Sequence, residues 1–527
     1  MSDSSPMQTI ARLTDLHEGV PTRVNVDKTP VLLIRRGSEV RAFGADCPHA
    51  GAPLEKGALC RGKLVCPWHK GTFDADSGAL LEPPALQGLT RYAISLDGDE
   101  VRIRLAAGDP TPAGSVGATG SRAGDTLAIV GGGAAGASAC ASLREFGFAG
   151  RLVLVDAETD KPYDRTALSK FVPAGELSTD DVYPLLPEGF FDQHHVERIR
   201  GAVTMLDSKK RTIAIDGAQT LSYDTALLAP GSVPKIPQIR GLGEPPVDAR
   251  VVFLRNLGDA RRLDWLAAAG GRAVVIGSSF IGLEVAAALR KRKLRVTVVS
   301  PDPIPFATQF GDAIGAHFRA LHERNGTTLR MRAKVTAIKP DDPLHVQFDD
   351  GSVLGCDFVV IGAGVRPATD RISGVKWNED GGIDVDASMR VTDALYAAGD
   401  IAAFQLTPDS RRIRIEHWRV AQQQGRIAAR AMLGLGSDSD HSARLVPFFW
   451  TFHYGKRFDY LGHARAGDWD EAMTTGSLDD DDFITLFVRN GTVQAVLACN
   501  RERASARLAE ALHDPLTVDA ARRLIDD

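Results

Sequence analysis

Long apolar runs are missing from this 527-residue sequence. The two longest candidates, around Leu127–Leu143 and Ala273–Leu289, are rich in Gly and Ala, and the second contains Glu284. Neither matches a membrane span of about 20 apolar residues. The opening stretch, MSDSSPMQTIARL, has no basic segment followed by an apolar core, so no signal peptide is expected. An excess of basic charge is missing too. Lys and Arg number 62 against 67 Asp and Glu, for a net charge of −5, which argues against a general nucleic-acid binder. Cysteine is scarce, with six in the chain. Cys60, Cys140, Cys356 and Cys499 are scattered and form no disulfide framework, so a reducing, cytoplasmic setting is expected. No C-x₄-C or C-x-x-C pair occurs, which disfavours dithiol redox chemistry.

What is present starts with ordinary globular composition, 44% hydrophobic and 24% charged, in a chain long enough for three or four domains. The most informative stretch runs from Cys47 to His69. It reads C-P-H-A-G-A-P-L from Cys47, then C-P-W-H from Cys66. The C-x-H and C-x-x-H pairs are separated by sixteen residues. Each pair offers one thiolate and one imidazole to a metal centre. In a Rieske [2Fe–2S] centre two cysteines hold one iron and two histidines the other, which assigns Cys47 and Cys66 to one iron and His49 and His69 to the second. Tetrahedral zinc is the alternative, although zinc sites more often pair like with like. Pro48, Gly51, Pro53 and Pro67 suit two tight loops. The stretch resembles the Rieske ferredoxin family. Ala52 and Trp68 stand where high-potential members carry an extra cysteine pair, so the resemblance implies a potential toward the negative end of the roughly −150 to +300 mV range. Lys70 stands where that family usually has Gly and is expected to be a solvated loop residue, with a docking charge as the other reading.

Around this stretch, residues 7–105 hold short β-type runs such as VLLIRR and EVRIRL, divided by Gly, Asp and Pro. A small antiparallel β domain is expected there. Residues 106–124, AAGDPTPAGSVGATGSRAG, read as a flexible linker. At Asp125 the pattern becomes α/β. The strand TLAIV leads into G-G-G-A-A-G from Gly131 to Gly136, then a helix, then RLVLV ending near Asp156. This is G-x-G-x-x-G in its strand–turn–helix setting, with Gly133 central, Ala135 in the turn, and Asp156 or Glu158 as the ribose acid. A second copy runs RAVVI, then Gly277 to Gly282 including Ser279, then LEVAAALRKRK and LRVTVV. Ser300 follows this second strand and Asp302 is near, so NADH is favoured and NADPH stays open. The acidic run Asp479–Asp482 is expected to be a solvated turn, and Asn490–Gly491 a hairpin turn.

Further segments carry a second resemblance: PYDRTALSK from Pro162, YDTALLAPGS from Tyr223, VVIGAGVRP from Val359 (with Gly364), LYAAGDIA from Leu395, and VPFFWTFHYG from Val446. With the two Gly-rich turns they resemble the FAD-dependent NAD(P)H:ferredoxin reductases of the glutathione-reductase structural class. The Rieske stretch narrows this to Rieske-containing proteins similar to apoptosis-inducing factor. The resemblance implies Arg165 and Lys170 along the flavin, Glu284 paired to Lys170 at the nicotinamide side, and Gly399 and Asp400 at the ribityl chain. It places Glu416, His417, Trp418 and Trp450 around the ring. Lys170 and Glu284 are the implied catalytic pair.

The expected architecture is multidomain: a Rieske [2Fe–2S] β domain (7–105), a linker (106–124), a Rossmann-like FAD domain (125–242 and 366–444), a Rossmann-like NAD(P)H domain (243–365) and a C-terminal α+β domain (445–527). The implied activity is an NAD(P)H-dependent flavoprotein oxidoreductase. Electrons would pass from NAD(P)H through FAD to the cluster, and on to a partner such as an oxygenase component. The alternative is a slow redox sensor or binding flavoprotein. NAD(P)H and a downstream electron acceptor are the expected partners, with no nucleic acid and no membrane span.

Overall fold

The computed structural model describes residues 7–105, 124–242, 248–407, 410–435 and 445–526. The expected linker falls, from 106 to 123, outside the described residues. The first part is all β. Six antiparallel strands pair in the order Gln8–Arg12, Glu100–Arg104, Arg91–Asp97, Glu39–Gly44, Thr29–Arg36 and Thr22–Val26. A four-stranded antiparallel sheet, Ala58–Cys60 to Leu80–Glu82, stacks beside it. A continuous apolar run anchors this arrangement: Val31–Ile34 and Phe43 are fully buried, so the strand Thr29–Arg36 is covered on both faces. Phe43, Leu64, Phe73 and Leu80 form a core that includes Cys47 and Cys66.

Two parallel sheets follow. The first runs Val196–Arg200, Arg151–Asp156, Thr126–Val130, Thr225–Leu228 and Leu395–Ala397, with Arg390–Thr392 antiparallel at its edge. The second is wholly parallel: Val251–Phe253, Phe358–Ile361, Arg272–Ile276, Arg295–Val299 and Thr328–Arg330. Their central strands are near-continuous Val, Ile, Leu and Ala, as strands buried on both faces must be. Helices α1 (Ala134–Glu145), α2 (Phe190–Gln193), α3 (Leu257–Ala268), α4 (Phe280–Lys291), α5 (Ala307–Arg324) and α6 (Trp418–Met432) belong to this region. α1 and α4 each start just after a Gly-rich turn, and α1 packs against α6. The chain returns to the first sheet after completing the second, through paired strands Ser232–Pro234 and Val365–Pro367.

The last part is a five-stranded antiparallel sheet, Phe448–His453, Lys456–Gly462, Thr492–Cys499, Asp482–Arg489 and Glu471–Ser477, with helices α7 (Glu502–Ala511) and α8 (Val518–Asp526). Asn490 and Gly491 make its hairpin turn, both with positive φ. The acidic run is not simply solvated. Asp481 is buried and accepts two hydrogen bonds from Arg324, both at 2.7 Å. Among the described residues no helix is long and apolar enough to cross a membrane.

Candidate functional site

The two Gly-rich turns meet one cavity of about 1360 Å³. At the first turn, a Cβ on Gly131 would lie 2.2 Å from the Ala229 carbonyl oxygen, and one on Gly136 would lie 1.9 Å from the Gly131 carbonyl oxygen. Only glycine permits that approach of helix to strand. The second turn repeats the geometry, with Gly277 tight against Gly362 and Gly282 against Gly277. Gly131, Gly133, Ala135, Asp156, Glu158, Arg165, Lys170, Ser279, Glu284, Gly399, Asp400, Glu416, His417, Trp418 and Trp450 all line the cavity. Gly136, Gly277, Gly282 and Gly364 do not. The first three shape the turns from behind, and Gly364 takes a positive φ with its carbonyl bonded to the Lys235 N–H.

The polar side chains are already tied to one another. Asp156 pairs with Arg198 at 3.0 Å. Glu158 accepts from Tyr163 at 2.7 Å and pairs with Arg165. Asp400 accepts from Ser232 at 2.5 Å and from Arg255 at 3.1 Å. Glu416 pairs with Arg414 at 3.0 Å; partial burial and the nearby Asp400 raise its pKa. Lys170 and Glu284 form a buried ion pair at 3.1 Å. Glu284 also accepts from Ser169 at 2.5 Å and from Thr451 at 2.6 Å, so its carboxylate is held by three donors. Burial, with His463 and Arg465 nearby, lowers the His417 pKa to about 3; the ring is neutral.

Three buried polar atoms lack a protein partner among the described residues: His417 Nδ1 and Trp418 Nε1, in the cavity lining at the start of α6, and Ser278 Oγ in the second Gly-rich turn. Buried polar atoms normally find partners. Orphaned donors and acceptors beside two Gly-cradled helix N-termini fit two dinucleotides, whose pyrophosphates suit such termini.

The Cys47 and Cys66 loops lie behind one residue of that lining, Trp450, whose ring is 5.3 Å from that of His69. The two thiols hydrogen-bond to each other, and backbone N–H groups of His49, Ala50, Trp68 and His69 face the sulfurs. The hydrogen bond to Cys66 and burial both raise Cys47. Burial opposes ionisation of Cys66 as well, but that bond and the N–H groups outweigh it and lower its pKa. The His49 and His69 Nδ1 atoms are 3.0 Å apart, close to the edge of about 3.3 Å for a tetrahedral metal with metal–N distances of about 2.0–2.1 Å. Among the described residues no three His, Cys, Asp or Glu side chains gather as a single-ion site. The four arrive as a dithiol and a di-imidazole, the donor set of a cluster whose two irons are ligated differently.

Trp450 joins the two regions. Its ring lies 5.3 Å from that of His69, and the Lys170 Nζ sits 4.6 Å from its centroid. Arg457 stacks on it at 4.8 Å, donates to the Trp68 carbonyl and pairs with Asp459 at 2.8 Å. Lys70 is not solvated. It is fully buried and bonds Asp459 at 2.7 Å, which corrects the solvated-loop expectation. From α6, Arg419 donates to the Pro83 and Lys70 carbonyls and pairs with Glu82 at 2.5 Å. From α7, Glu510 pairs with Lys63 at 2.7 Å. Ser169 lies inside a motif the sequence displays. Arg419, Arg457 and Asp459 escape sequence reading because their partners are hundreds of residues away.

Two Gly-cradled turns on one cavity, with a dithiol–di-imidazole loop pair behind its Trp450, define a two-dinucleotide flavoprotein reductase with a built-in iron–sulfur module. Comparison with known proteins agrees. Residues 125–425 match the pyridine nucleotide-disulphide oxidoreductase family, and residues 7–93 the Rieske [2Fe-2S] domain. The chain is 32% identical to apoptosis-inducing factor 3 of Mus musculus, over 96% of this chain and 83% of that protein. It is 32% identical to rhodocoxin reductase of Rhodococcus erythropolis, over 75% of this chain and 92% of that one. Among solved structures, the ferredoxin reductase for the CYP199A2 system of Rhodopseudomonas palustris superposes with a TM-score of 0.68 at 26% identity, over 75% of this chain and 97% of that one. The covalent putidaredoxin reductase–putidaredoxin complex gives the same TM-score and identity, over 77% and 96%. The chain belongs to the pyridine nucleotide-disulphide oxidoreductase family and carries a fused Rieske domain. It is an NAD(P)H-dependent flavoprotein oxidoreductase whose cofactors are FAD and a Rieske [2Fe–2S] cluster.

Proposed function

We propose that this chain carries electrons from NAD(P)H across its own interior to the Cys47/Cys66/His49/His69 loops, and from there to a ferredoxin-type or oxygenase-type acceptor. When bound, FAD takes hydride from the nicotinamide and releases electrons singly to the cluster. The chain's residues supply position and charge. Gly131, Gly133, Ala135 and Gly136 bring the α1 N-terminus to the FAD pyrophosphate, and Asp156 or Glu158 receives the ribose. Gly399 and Asp400 hold the ribityl chain, while Arg165, Glu416, His417, Trp418 and Trp450 border the ring, with Gly364 behind. Gly277, Ser279 and Gly282 hold the NAD(P)H pyrophosphate, NADH being favoured. The Lys170–Glu284 pair is the catalytic pair at the meeting point of flavin and nicotinamide. The domain limits follow: 7–105, 125–242 with 366–444, 243–365, and 445–527. Cys60, Cys140, Cys356 and Cys499, which are joined in no disulfide, support a reducing, cytoplasmic location.

The observation that carries this reading is Trp450, in van der Waals range of His69 on one side and of Lys170 on the other. The test is low-temperature EPR of the holoprotein before and after anaerobic NADH, with an optical spectrum alongside. Flavin bleaching together with a Rieske signal supports the route. Bleaching with no such signal, in iron-replete protein, overturns it in favour of a slow redox sensor.

A further inference from the structure

Glu284 is the inner end of a buried hydrogen-bonded chain that leaves the cavity altogether. Thr451 Oγ1 donates to Glu284 at 2.6 Å. His453 Nε2 lies 2.8 Å from that hydroxyl. His453 Nδ1 lies 3.3 Å from His322 Nε2, and His322 Nδ1 lies 3.1 Å from the Tyr454 hydroxyl. Tyr454 meets Thr327 at 2.7 Å. Glu284, Thr451, His453 and His322 are all buried, whereas Tyr454 is half-buried in the turn after the strand Phe448–His453. The carboxylate has no proton to give, so one consistent arrangement exists. Thr451 donates to Glu284, His453 Nε2–H to Thr451, His322 Nε2–H to His453 Nδ1, and Tyr454 O–H to His322 Nδ1. The Leu283 carbonyl also faces the His453 ring. Both rings are neutral: burial lowers the His322 pKa to about 3 and drops His453 well below the ordinary histidine value. A neutral imidazole has one donor and one acceptor, which is what a relay requires.

A proton needs such a path. Each NADH oxidised through one-electron carriers balances as NADH → NAD⁺ + H⁺ + 2 e⁻, so one proton stays behind for every two electrons that leave. We propose that Glu284, Thr451, His453, His322 and Tyr454 form a proton conduit between the Lys170–Glu284 pair and solvent at Tyr454. With every hydrogen pointing toward Glu284 this arrangement carries a proton inward; release runs on the reversed one, with both histidines Nδ1–H and the hydrogens pointing toward Tyr454. The inference rests on the electron route proposed above.

The test uses the full-length holoprotein with two variants, Tyr454→Phe and His322→Gln. Tyr454→Phe removes one hydroxyl and keeps the ring. Enzyme reduced with one equivalent of NADH is mixed with ferricyanide in weak buffer, and a pH-indicator dye follows proton release beside flavin absorbance. Proton release keeps pace with flavin reoxidation in the parent and slows by on the order of 10²-fold in both variants. Flavin bleaching by NADH keeps its parent rate. Histidine ¹⁵N NMR of the oxidised parent reads out the arrangement independently: His322 and His453 both appear as neutral Nε2–H tautomers. Proton release at the parent rate in folded variants overturns the conduit and leaves the electron route standing. Mixed tautomers, which leave two acceptors or two donors between the rings, overturn it as well; both rings as Nδ1–H leave the conduit intact with its hydrogens pointing outward. Failure of NADH to bleach the parent flavin instead overturns the reading on which it rests.

Discussion

At the residue scale the decisive side chains are few, and each is fixed by its neighbours. Trp450 touches both His69 and the Lys170 ammonium. Trp450→Leu keeps an apolar side chain but opens a gap between these groups. NADH should still bleach the flavin, while freeze-quench EPR should show cluster reduction at least about tenfold slower, since a displacement of about 1 Å can cost 10²-fold. Lys170 and Glu284 are a buried pair, and removing one partner leaves an uncompensated charge. Lys170→Met should cost about 3–5 kcal/mol in denaturant unfolding. These positions differ in how they appear in the sequence. The four cluster residues and the Gly-rich turns are legible because their geometry is set within a few residues. Lys70 is not legible. Its chemistry is that of a surface lysine until the fold brings Asp459, 389 positions away, within 2.7 Å. Asp481 escaped for the same reason.

At the scale of elements, α6 and α7 clamp the β domain onto the rest of the molecule. Nothing in the local sequence says that Arg419 and Glu510 face another domain. Glu82 receives Arg419, Gln423 and His513. Burial opposes its ionisation, but Arg419 and His513 prevail and hold its pKa below the ordinary glutamate value. A depressed pKa contributes stability that is present above the unfolded value of about 4.3 and is lost as pH falls toward the folded value. The clamp should therefore be at full strength at neutral pH and weaken from about pH 5 downward. Amide hydrogen exchange of residues 80–82, followed from pH 7 to pH 4, should show the loss after correction for the intrinsic exchange rate. Arg419→Met should loosen the same segment at neutral pH, because it leaves the Pro83 and Lys70 carbonyls short of a donor.

At the scale of the whole molecule, the β domain covers the wall of the cavity where Trp450 emerges. An outside protein acceptor therefore meets the cluster first. Cys66→Ser should abolish NADH-driven reduction of a protein acceptor such as a ferredoxin, while ferricyanide reduction by the flavin persists. Assays of the two acceptors on one preparation check this. Fold class and module order were legible from hydrophobic periodicity and turn residues. The docked arrangement was not, because a Gly/Pro-rich stretch states that two modules are joined and says nothing of where they rest.

The salt-linked seat of Lys70 on Asp459 has one more consequence. Where carrier and reductase are separate molecules, delivery is a collision, and its rate rises with the concentration of both. Here donor and carrier share one chain and one buried contact, so the internal step is first order. Dilution should leave it unchanged. The concentration of this protein in a cell then sets how many electrons are available, not how quickly each one arrives at the cluster.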